Sequence, residues 1–270
     1  MNKSVLIIGK NGKTGNRVEH LLQAAGITTR GVSRNTSPVF DWKNQNTWND
    51  AMKGCQSAYV SFQPDLAIPE AQEIIKNFIE TAKQENLQHI VLLSGRGEKG
   101  AEKAEQQVIQ SGLTWNILRA SWFNQNFSEG FLQKDILNRH VALPSASIKE
   151  PFIDADDIAE VAVQCFKEPA WHNQLLELTG PELLTFESCI SIISDITGQP
   201  IEFRSISTEQ LITSLQRQGQ PQEVLWLMKE LFTEVMDGRN SYLTDDVQNV
   251  LRRPARRFSD YVLKNFKYDL

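Results

Sequence analysis

Residues 5–15 of the chain read VLIIGKNGKTG, and this stretch decides the fold. The four apolar residues that open it are typical of a strand buried on both faces of a sheet. Gly9, Gly12 and Gly15 then follow in the spacing GxxGxxG. A helical pattern begins at Thr14, so the glycines lie in a loop that joins a strand to a helix.

Such a loop suits the pyrophosphate of a dinucleotide. The first N–H groups of a helix have no partner within the helix, and the helix dipole favours negative charge there. Glycines allow the tight turn, the close approach of a phosphate and the packing of helix on strand. An ordinary glycine turn is the alternative, but the strand–loop–helix context favours phosphate. The loop residues predicted to bind are Gly9, Asn11, Gly12, Lys13, Thr14 and Gly15. The Walker pattern GxxxxGK[ST] is absent from this loop, which argues against an ATP site.

The end of the second predicted strand indicates which dinucleotide binds. Residues 28–33 form that strand, which ends at Ser33 and is followed by Arg34. An NAD site places a carboxylate here for the ribose 2′-hydroxyl, whereas an NADP site places a cation for the 2′-phosphate. Arg34, with its planar guanidinium, and the Ser33 hydroxyl therefore predict NADP(H) in preference to NAD(H). Asp41 and Trp42 follow and either cover the adenine ring or, in the case of Trp42, pack in the core.

Strand and helix patterns alternate along the first half of the chain. After the first strand, strands are predicted at residues 28–33, 39–40, 58–62, 89–93 and 114–118, and helices at 14–25, 68–85 and 101–111. Parallel neighbouring strands need long connections, which strict alternation supplies as right-handed crossovers. The predicted fold class is therefore α/β, a doubly wound parallel Rossmann sheet.

The pattern changes after about residue 120, where helices dominate. Helices are predicted at residues 126–138, 152–166, 186–197, 208–218, 222–236 and 255–266, a last strand at 175–178, and an irregular stretch at 140–149. We expect an NAD(P)-binding Rossmann domain of residues 1–125 plus about 150–180. The rest, about 126–149 plus 181–270, is expected to form a smaller, mostly helical lobe for substrate or partner, at the sheet edge where ligands bind.

Composition restricts the possible partners. The net charge of −5 argues against nucleic acid, whose phosphates need a basic face. No apolar run reaches the roughly 18 residues of a membrane span, and the N-terminus lacks a signal-peptide core, so a cytoplasmic protein is expected. No metal is expected, because a helix N-terminus explains the acids Asp154, Asp156 and Asp157. A monomer and a homodimer both fit the sequence.

Further motifs carry a family resemblance over nearly the whole chain. They are GKTG at residues 12–15, FDW at 40–42, TW at 47–48, HIVLLS at 89–94, SGLTW at 111–115, LRASWFNQNF at 118–127, PFI at 151–153, DDIA at 156–159 and TGPELLT at 179–185. With these motifs the chain resembles the NmrA-like family of atypical short-chain dehydrogenases/reductases. Within that family it is similar to the festuclavine (clavine-type) dehydrogenases of ergot alkaloid biosynthesis.

The resemblance implies an NADP(H)-binding Rossmann fold with a C-terminal lobe that binds a small-molecule substrate. It assigns the pyrophosphate to the phosphate loop, and the 2′-phosphate to Ser33 and Arg34. It also places Phe62 and Gln63 near the ribose or nicotinamide, and Ser94, Trp122 and Phe123 at the nicotinamide pocket. The chain departs from the branch at Ala120, where proline is common.

The proton relay of orthodox short-chain dehydrogenases is absent from the sequence. In that relay, Tyr-x-x-x-Lys, the lysine lowers the pKa of the phenol. None of the four tyrosines precedes lysine by four residues, and the relay positions fall near Gly97 and Ala101. One interpretation is a reductase of an activated acceptor, such as an imine or iminium, a quinone or a similar small molecule, served by proximity and orientation. Phe62, Trp122 and Phe123 would then form an aromatic wall for a flat or cationic substrate. The other interpretation is a non-catalytic NADP(H) sensor that acts through a protein partner.

Overall fold

The computed structural model describes residues 4–144 and 147–266, and a six-stranded sheet is its central feature. The strands of this sheet are β1 (Ser4–Ile8), β2 (Thr29–Val32), β3 (Cys55–Val60), β4 (His89–Gly95), β5 (Thr114–Ala120) and β7 (Gln174–Leu178). Two further strands, β6 (His140–Leu143) and β8 (Glu202–Ser205), lie outside it. The sheet has the order β2-β1-β3-β4-β5-β7, and its strands from β2 to β5 pair in parallel. The prediction of a doubly wound parallel Rossmann sheet is confirmed.

Helices follow most of the strands. They are α1 (Lys13–Ala24), α2 (Trp48–Met52), α3 (Ala71–Gln84), α4 (Lys99–Ile109), α5 (Gln133–Leu137), α6 (Ala155–Lys167), α7 (Phe186–Thr197), α8 (Thr208–Arg217), α9 (Gln222–Glu230), α10 (Asp246–Leu251) and α11 (Phe258–Asn265). Among the residues described, none of these helices combines the length and apolar character that crossing a membrane requires.

The chain divides into two compact units, of which the first holds the sheet. It comprises the residues up to Ala120 together with Asp156–Glu177. Successive side chains of a strand point to opposite faces, so Leu6 and Ile8 of β1 share one face, where they join a core with Phe78 of α3. That core is the apolar layer between the sheet and the helices α2, α3 and α4.

The topology places the ligand crevice of the first unit. Chain order reverses between β1 and β3, because β2 lies on one side of β1 and β3 on the other. In sheets of this type, ligands bind outside the carboxyl ends of the strands at such a switch point. Gly9 follows β1 with a φ of +82°, and a Cβ built on it would lie 3.2 Å from the Cβ of Ser61, the residue after β3. A side chain at position 9 would therefore be crowded, and glycine leaves the backbone accessible to a phosphate.

The second unit comprises Ser121–Ala155 and Leu178–Leu270. Its strands β6 and β8 form a small parallel sheet of their own, and the rest of its regular structure is mostly helical, as predicted. An aromatic core holds it together. The rings of Phe127, Phe152, Phe186 and Phe258 are fully or almost fully buried and contact one another.

One predicted element of the first unit was wrong and another was missed. The strand predicted at residues 39–40 is not formed. Phe40 is instead buried against Trp42 and Trp48, with ring centroids 4.8 and 6.0 Å away. The neighbouring Pro38 has no N–H for a strand ladder, and burial of three aromatic rings stabilises an irregular chain path here. The short helix α2 follows and was not predicted.

In the second unit the prediction of an irregular stretch at residues 140–149 was wrong in part. That stretch contains β6, whose partner β8 lies far along the chain, so the local pattern could not reveal the pairing. The helix predicted at 126–138 is reduced to a 3-10 turn, Asn124–Asn126, and α5. Gly130 interrupts it, because its missing Cβ allows the backbone to lie against Asn126.

The remaining differences concern helix ends. The helix predicted from residue 152 begins at Ala155, and the one predicted from 255 begins at Phe258, after Pro254. The helix predicted at 222–236 is α9, continued by a π-helical turn over Leu231–Val235. Helix α10 was not predicted. These differences leave the order of elements in the first unit intact.

Candidate functional site

The phosphate loop is open to an anion at the start of α1. Gly12 is the residue before the helix, and its N–H donates to the Gly9 carbonyl at 2.8 Å, which closes the loop on itself. Within the described chain no side chain caps this helix end, and its first turn carries no acid. The N–H groups of Lys13, Thr14 and Gly15 therefore point out of a helix N-terminus that favours negative charge.

Close packing of the loop fits a dinucleotide. A Cβ on Gly15 would collide with the carbonyl group of Gly9, so α1 can lie this close to β1 only with glycine there. Thr14 is buried at 3% exposure and anchors the first turn in the core. An uncapped N-terminus, a glycine with positive φ and a glycine contact between helix and strand are together the features that a pyrophosphate site requires.

The structure brings Ser33, one of the two predicted 2′-phosphate residues, into contact with the loop. The Asn11 side-chain amide donates to the Ser33 hydroxyl oxygen at 3.4 Å. The same hydroxyl oxygen accepts from the backbone N–H of Asn35 at 3.2 Å, and the N–H of Ser33 donates to Thr36 Oγ1 at 2.8 Å. These bonds fix the turn after β2, and Arg34 within it is exposed to solvent.

Trp42 lies in the core. Its ring is 8% exposed and contacts the ring of Phe62, itself 7% exposed, at a centroid distance of 4.8 Å. The carboxylate of Asp41 accepts from the backbone N–H of Lys43 at 3.0 Å and so shapes a tight turn. Gln63, by contrast, is exposed beside Phe62, just after β3. Of the two roles open for Trp42, core packing is the one that its burial indicates.

The side chain of Ser94 makes a buried contact that the sequence did not predict. Its hydroxyl donates to Glu105 Oε1 at 2.6 Å, and the two residues are 5% and 0% exposed. Arg119 donates to the same carboxylate, from Nε to Oε1 at 2.9 Å and from Nη2 to Oε2 at 2.6 Å. Glu105 belongs to α4, Ser94 to β4 and Arg119 to β5. A buried Ser–Glu–Arg group therefore lies at the carboxyl end of two neighbouring strands.

More charges extend this group along the sheet edge. Arg119 also lies 3.8 Å from Glu102 and 3.9 Å from Glu177, and Glu177 pairs with Arg96 at 3.2 Å. The hydrogen bonds that Arg119 donates to Glu105, and then the charges of Glu105, Glu102 and Glu177, raise the pKa of Arg119 above its usual range. A signal for Glu105 was present in the sequence, because it occupies the buried stripe of α4 with Ala101, Ala104 and Val108. A lone charge on an apolar helix face needs a buried partner.

Gly97 and Ala101, near which the sequence predicts the relay positions, carry no titratable side chain. Gly97 has a positive φ of 74°, and Ala101 is fully buried on α4. Tyr59, in the middle of β3, is fully buried, and burial raises the pKa of its phenol. That shift is opposite to the lowered pKa that a relay tyrosine needs.

In the second unit Trp122 is part of an aromatic surface. Its half-buried ring lies 5.3 Å from the ring of Phe186, 5.5 Å from Phe232 and 6.3 Å from Phe131. Phe131 is 39% exposed, and Phe232 comes from the π-helical turn after α9. The sequence did not single out these two rings. Phe123 is half-buried and forms an isolated parallel bridge with Ile153.

The acids near the start of α6 have separate protein partners. Asp156 accepts from Arg17 Nε of α1 at 2.7 Å, and Asp154 accepts from the Gln125 amide at 2.8 Å. Across residues 4–144 and 147–266, no group of three or more acids, histidines or cysteines is arranged to hold a metal ion. We assign these acids to local structure.

Comparison with known proteins agrees with the phosphate loop. The model of the NAD(P)H-binding family matches residues 9–169. The chain is 29% identical to agroclavine dehydrogenase of Claviceps fusiformis, with 97% of each chain covered. It is 25% identical to NAD(P)H azoreductase of Xenophilus azovorans, with 95% of this chain and 96% of that protein covered. The resemblance to clavine-type dehydrogenases is confirmed.

A solved structure extends the agreement to three dimensions. NADPH-dependent quinone oxidoreductase from Escherichia coli is similar with a TM-score of 0.82, covering 97% of this chain and 100% of that one. The two sequences are only 15% identical, so this likeness concerns the fold. The family match covers the phosphate loop, strands β2 to β5 and all of α6, and it confirms the prediction of a nicotinamide dinucleotide cofactor. The chain belongs to the NAD(P)H-binding family.

Proposed function

We propose that the protein is an NADPH-dependent reductase of an activated small-molecule acceptor, such as an iminium ion or a quinone. The observation that carries the proposal is the uncapped start of α1 with Ser33 beside it, joined to the loop through Asn11 at 3.4 Å. This pairing offers one anion site for the pyrophosphate and a second at the end of β2 for the 2′-phosphate.

Preference for NADPH over NADH rests on Arg34. Its guanidinium is exposed at the turn after β2, and the neighbouring Ser33 supplies a hydroxyl. No acid occupies residues 33–40, where an NAD-selective site would hold the ribose 2′-hydroxyl. A dianionic 2′-phosphate would therefore meet a cation and a hydrogen-bond donor without a competing carboxylate.

The reaction class follows from what the chain lacks and from its relatives. Bound NADPH supplies a hydride to the acceptor. Gly97 and Ala101, at the relay positions, can neither give nor take a proton, so the acceptor must be electron-poor by itself. An iminium carbon and a quinone both meet that condition. Relatives named as agroclavine dehydrogenase and NAD(P)H azoreductase support reduction of a nitrogen-containing or strongly accepting group.

The aromatic surface of the second unit supports a flat or cationic substrate. Trp122 and Phe131 present partly exposed rings, with Phe186 and Phe232 packed behind them. Offset stacking and cation–π attraction would orient a planar acceptor without any hydrogen bond. We propose that the first unit holds the cofactor and that this surface favours planar substrates.

The experiment is a steady-state assay of the purified protein with NADPH and a panel of cyclic iminium ions, quinones and azo dyes. Acceptor-dependent loss of the reduced nicotinamide absorbance is expected for at least one class. Tight NADPH binding with no oxidation by any class would contradict a reductase and would favour the sensor that acts through a protein partner. A parallel assay with neutral unactivated ketones should show no turnover.

A further inference from the structure

The hydroxyl proton of Ser94 takes part in a hydrogen bond inside the protein. The Ser94 hydroxyl donates to Glu105 Oε1 at 2.6 Å, a short distance typical of a bond to an ionised carboxylate. Glu105 is fully buried and has no solvent to share that role. The direction of this bond decides which groups Ser94 can still serve.

Arg119 settles the charge on Glu105. Arginine is always protonated in proteins, and Arg119 approaches both carboxylate oxygens, from Nε and from Nη2. A buried carboxyl facing a guanidinium in this geometry is ionised, and an ionised carboxylate only accepts hydrogen bonds. The Ser94 oxygen is therefore left with lone pairs and no proton to give.

The surrounding charges reinforce this polarity. Around Arg119 lie the carboxylates of Glu102, Glu105 and Glu177, and Arg96 is the second cation of the group. The group thus has three carboxylates and two guanidiniums, with the carboxylates in excess by one. Water screens the half-exposed Glu102, so the buried Glu105 is the carboxylate that fixes the polarity at Ser94.

We propose that Glu105 is a positioning residue that makes Ser94 an obligate hydrogen-bond acceptor and so selects against neutral carbonyl acceptors. A carbonyl or quinone oxygen gains negative charge on hydride transfer and is helped by a donor, which Ser94 cannot be. An iminium carbon loses its positive charge and needs no donor. This inference rests on the proposed function, because it takes Ser94, at the carboxyl end of β4, to meet the acceptor.

The substitution Glu105→Gln should reverse the direction of the hydrogen bond between residue 105 and Ser94, with little change in side-chain shape. An amide oxygen at the Oε2 position would keep the bonds from Arg119 Nη2 at 2.6 Å and Nε at 3.1 Å, and the amide NH₂ would then face Ser94. Ser94 would then accept from the amide and release its own proton for a ligand. The test measures kcat/KM for menadione and for N-methyl-dihydroisoquinolinium, two flat bicyclic acceptors of which one is neutral and one is a permanent cation.

The expected result is a shift of the menadione-to-iminium ratio toward menadione by about tenfold in E105Q, the scale of the net gain from one ordinary hydrogen bond. The matched control is Glu102→Gln, which removes the same charge near Arg119 without contact to Ser94, and its ratio should stay within about twofold. In the Ser94→Ala background the E105Q shift should vanish, because the two residues act as a unit.

Ser94→Ala alone keeps the inference testable if E105Q does not fold. Loss of an acceptor-only serine should change both acceptors by a similar factor. A selective loss of menadione reduction by about tenfold or more would show that Ser94 donates, and would overturn the inference. An unchanged ratio in folded E105Q would also overturn it. If the wild-type protein oxidised NADPH with neither acceptor class, the proposed function itself would fail, and this inference with it.

Discussion

Gly15 lies directly against the carbonyl group of Gly9, so that the first turn of α1 rests on the end of β1. No other residue leaves room for this approach, since a single methyl group at Gly15 would collide with that carbonyl. The contact brings the N-terminal N–H groups of the helix to the switch point of the sheet. The spacing of the glycines in the sequence therefore produces an anion-binding site in the folded chain.

Gly15→Ala should therefore weaken NADPH binding by about tenfold or more, because the helix must move away from the strand to relieve the overlap. Calorimetric titration measures the affinity, and a thermal unfolding curve shows that the variant is folded. Asn16→Ala, an exposed change on the next residue of the same helix, is the control and should bind normally. Equal affinities for Gly15→Ala and the wild type would contradict the assignment of this loop.

Arg34→Glu should reverse the cofactor preference. Loss of a charge-assisted bond to phosphate costs about 1.5–3 kcal/mol, which is about 10- to 150-fold in NADPH affinity. NADH carries no 2′-phosphate, so its affinity should change little or improve. Lys53→Glu makes the same charge change on an exposed residue before β3, at the opposite end of the strand, and should spare both cofactors. A similar loss for both cofactors in Arg34→Glu would remove the basis for NADPH selectivity.

Phe131→Ala should raise the KM of a flat aromatic acceptor by roughly 2- to 10-fold while the NADPH dissociation constant stays the same. The reason is that an aromatic pair contributes about 0.5–1.5 kcal/mol, and Phe131 is the exposed ring on Trp122. Trp226→Ala removes another exposed ring of the second unit and serves as the control. A parallel rise in KM for both variants would indicate a general surface effect and not stacking at Trp122.

His89 should make the fold sensitive to acid. Burial, opposed by the bond to Asn116 Oδ1 at 2.8 Å and assisted by nearby His172, lowers the pKa of His89 from 6.5 to about 4. The folded state therefore binds this proton less readily than the unfolded state, and stability is complete above about pH 6.5. As the pH falls from there toward 4, about 3 kcal/mol is lost from this residue.

His89→Gln retains a donor for Asn116 and removes the titration. Urea unfolding at a series of pH values should show a shallower decline in stability for the variant between about pH 6.5 and 4 than for the wild type. Because the carboxylates titrate alike in both proteins, the difference isolates His89. Two parallel curves would show that His89 is not the acid-sensitive group.

The phosphate loop and the Rossmann sheet were predictable because their signals are local. The apolar run before Gly9, the glycine spacing and the helical pattern after it lie within a few residues of one another. Parallel strands then followed from alternation alone. The pair β6 and β8 was not predictable in this way, because each strand is short and finds its partner only through the folded chain.

The polar part of the site was harder to predict for a similar reason. The family resemblance predicts Ser94 as a pocket residue, but its partner Glu105 lies on the next helix and Arg119 on the next strand. Only the fold brings the three together. Phe131 and Phe232 are likewise brought to Trp122 by turns that no periodicity marks, one of them π-helical. Locally coded features were found, and side-chain contacts distant in sequence were not.

The most direct test of the central claim is a calorimetric titration of the purified wild-type protein with NADPH and, separately, with NADH. We predict one site that binds NADPH at least about tenfold more tightly than NADH, as expected for a cation at the 2′-phosphate. Failure to bind either nucleotide, or tighter binding of NADH, would contradict the account.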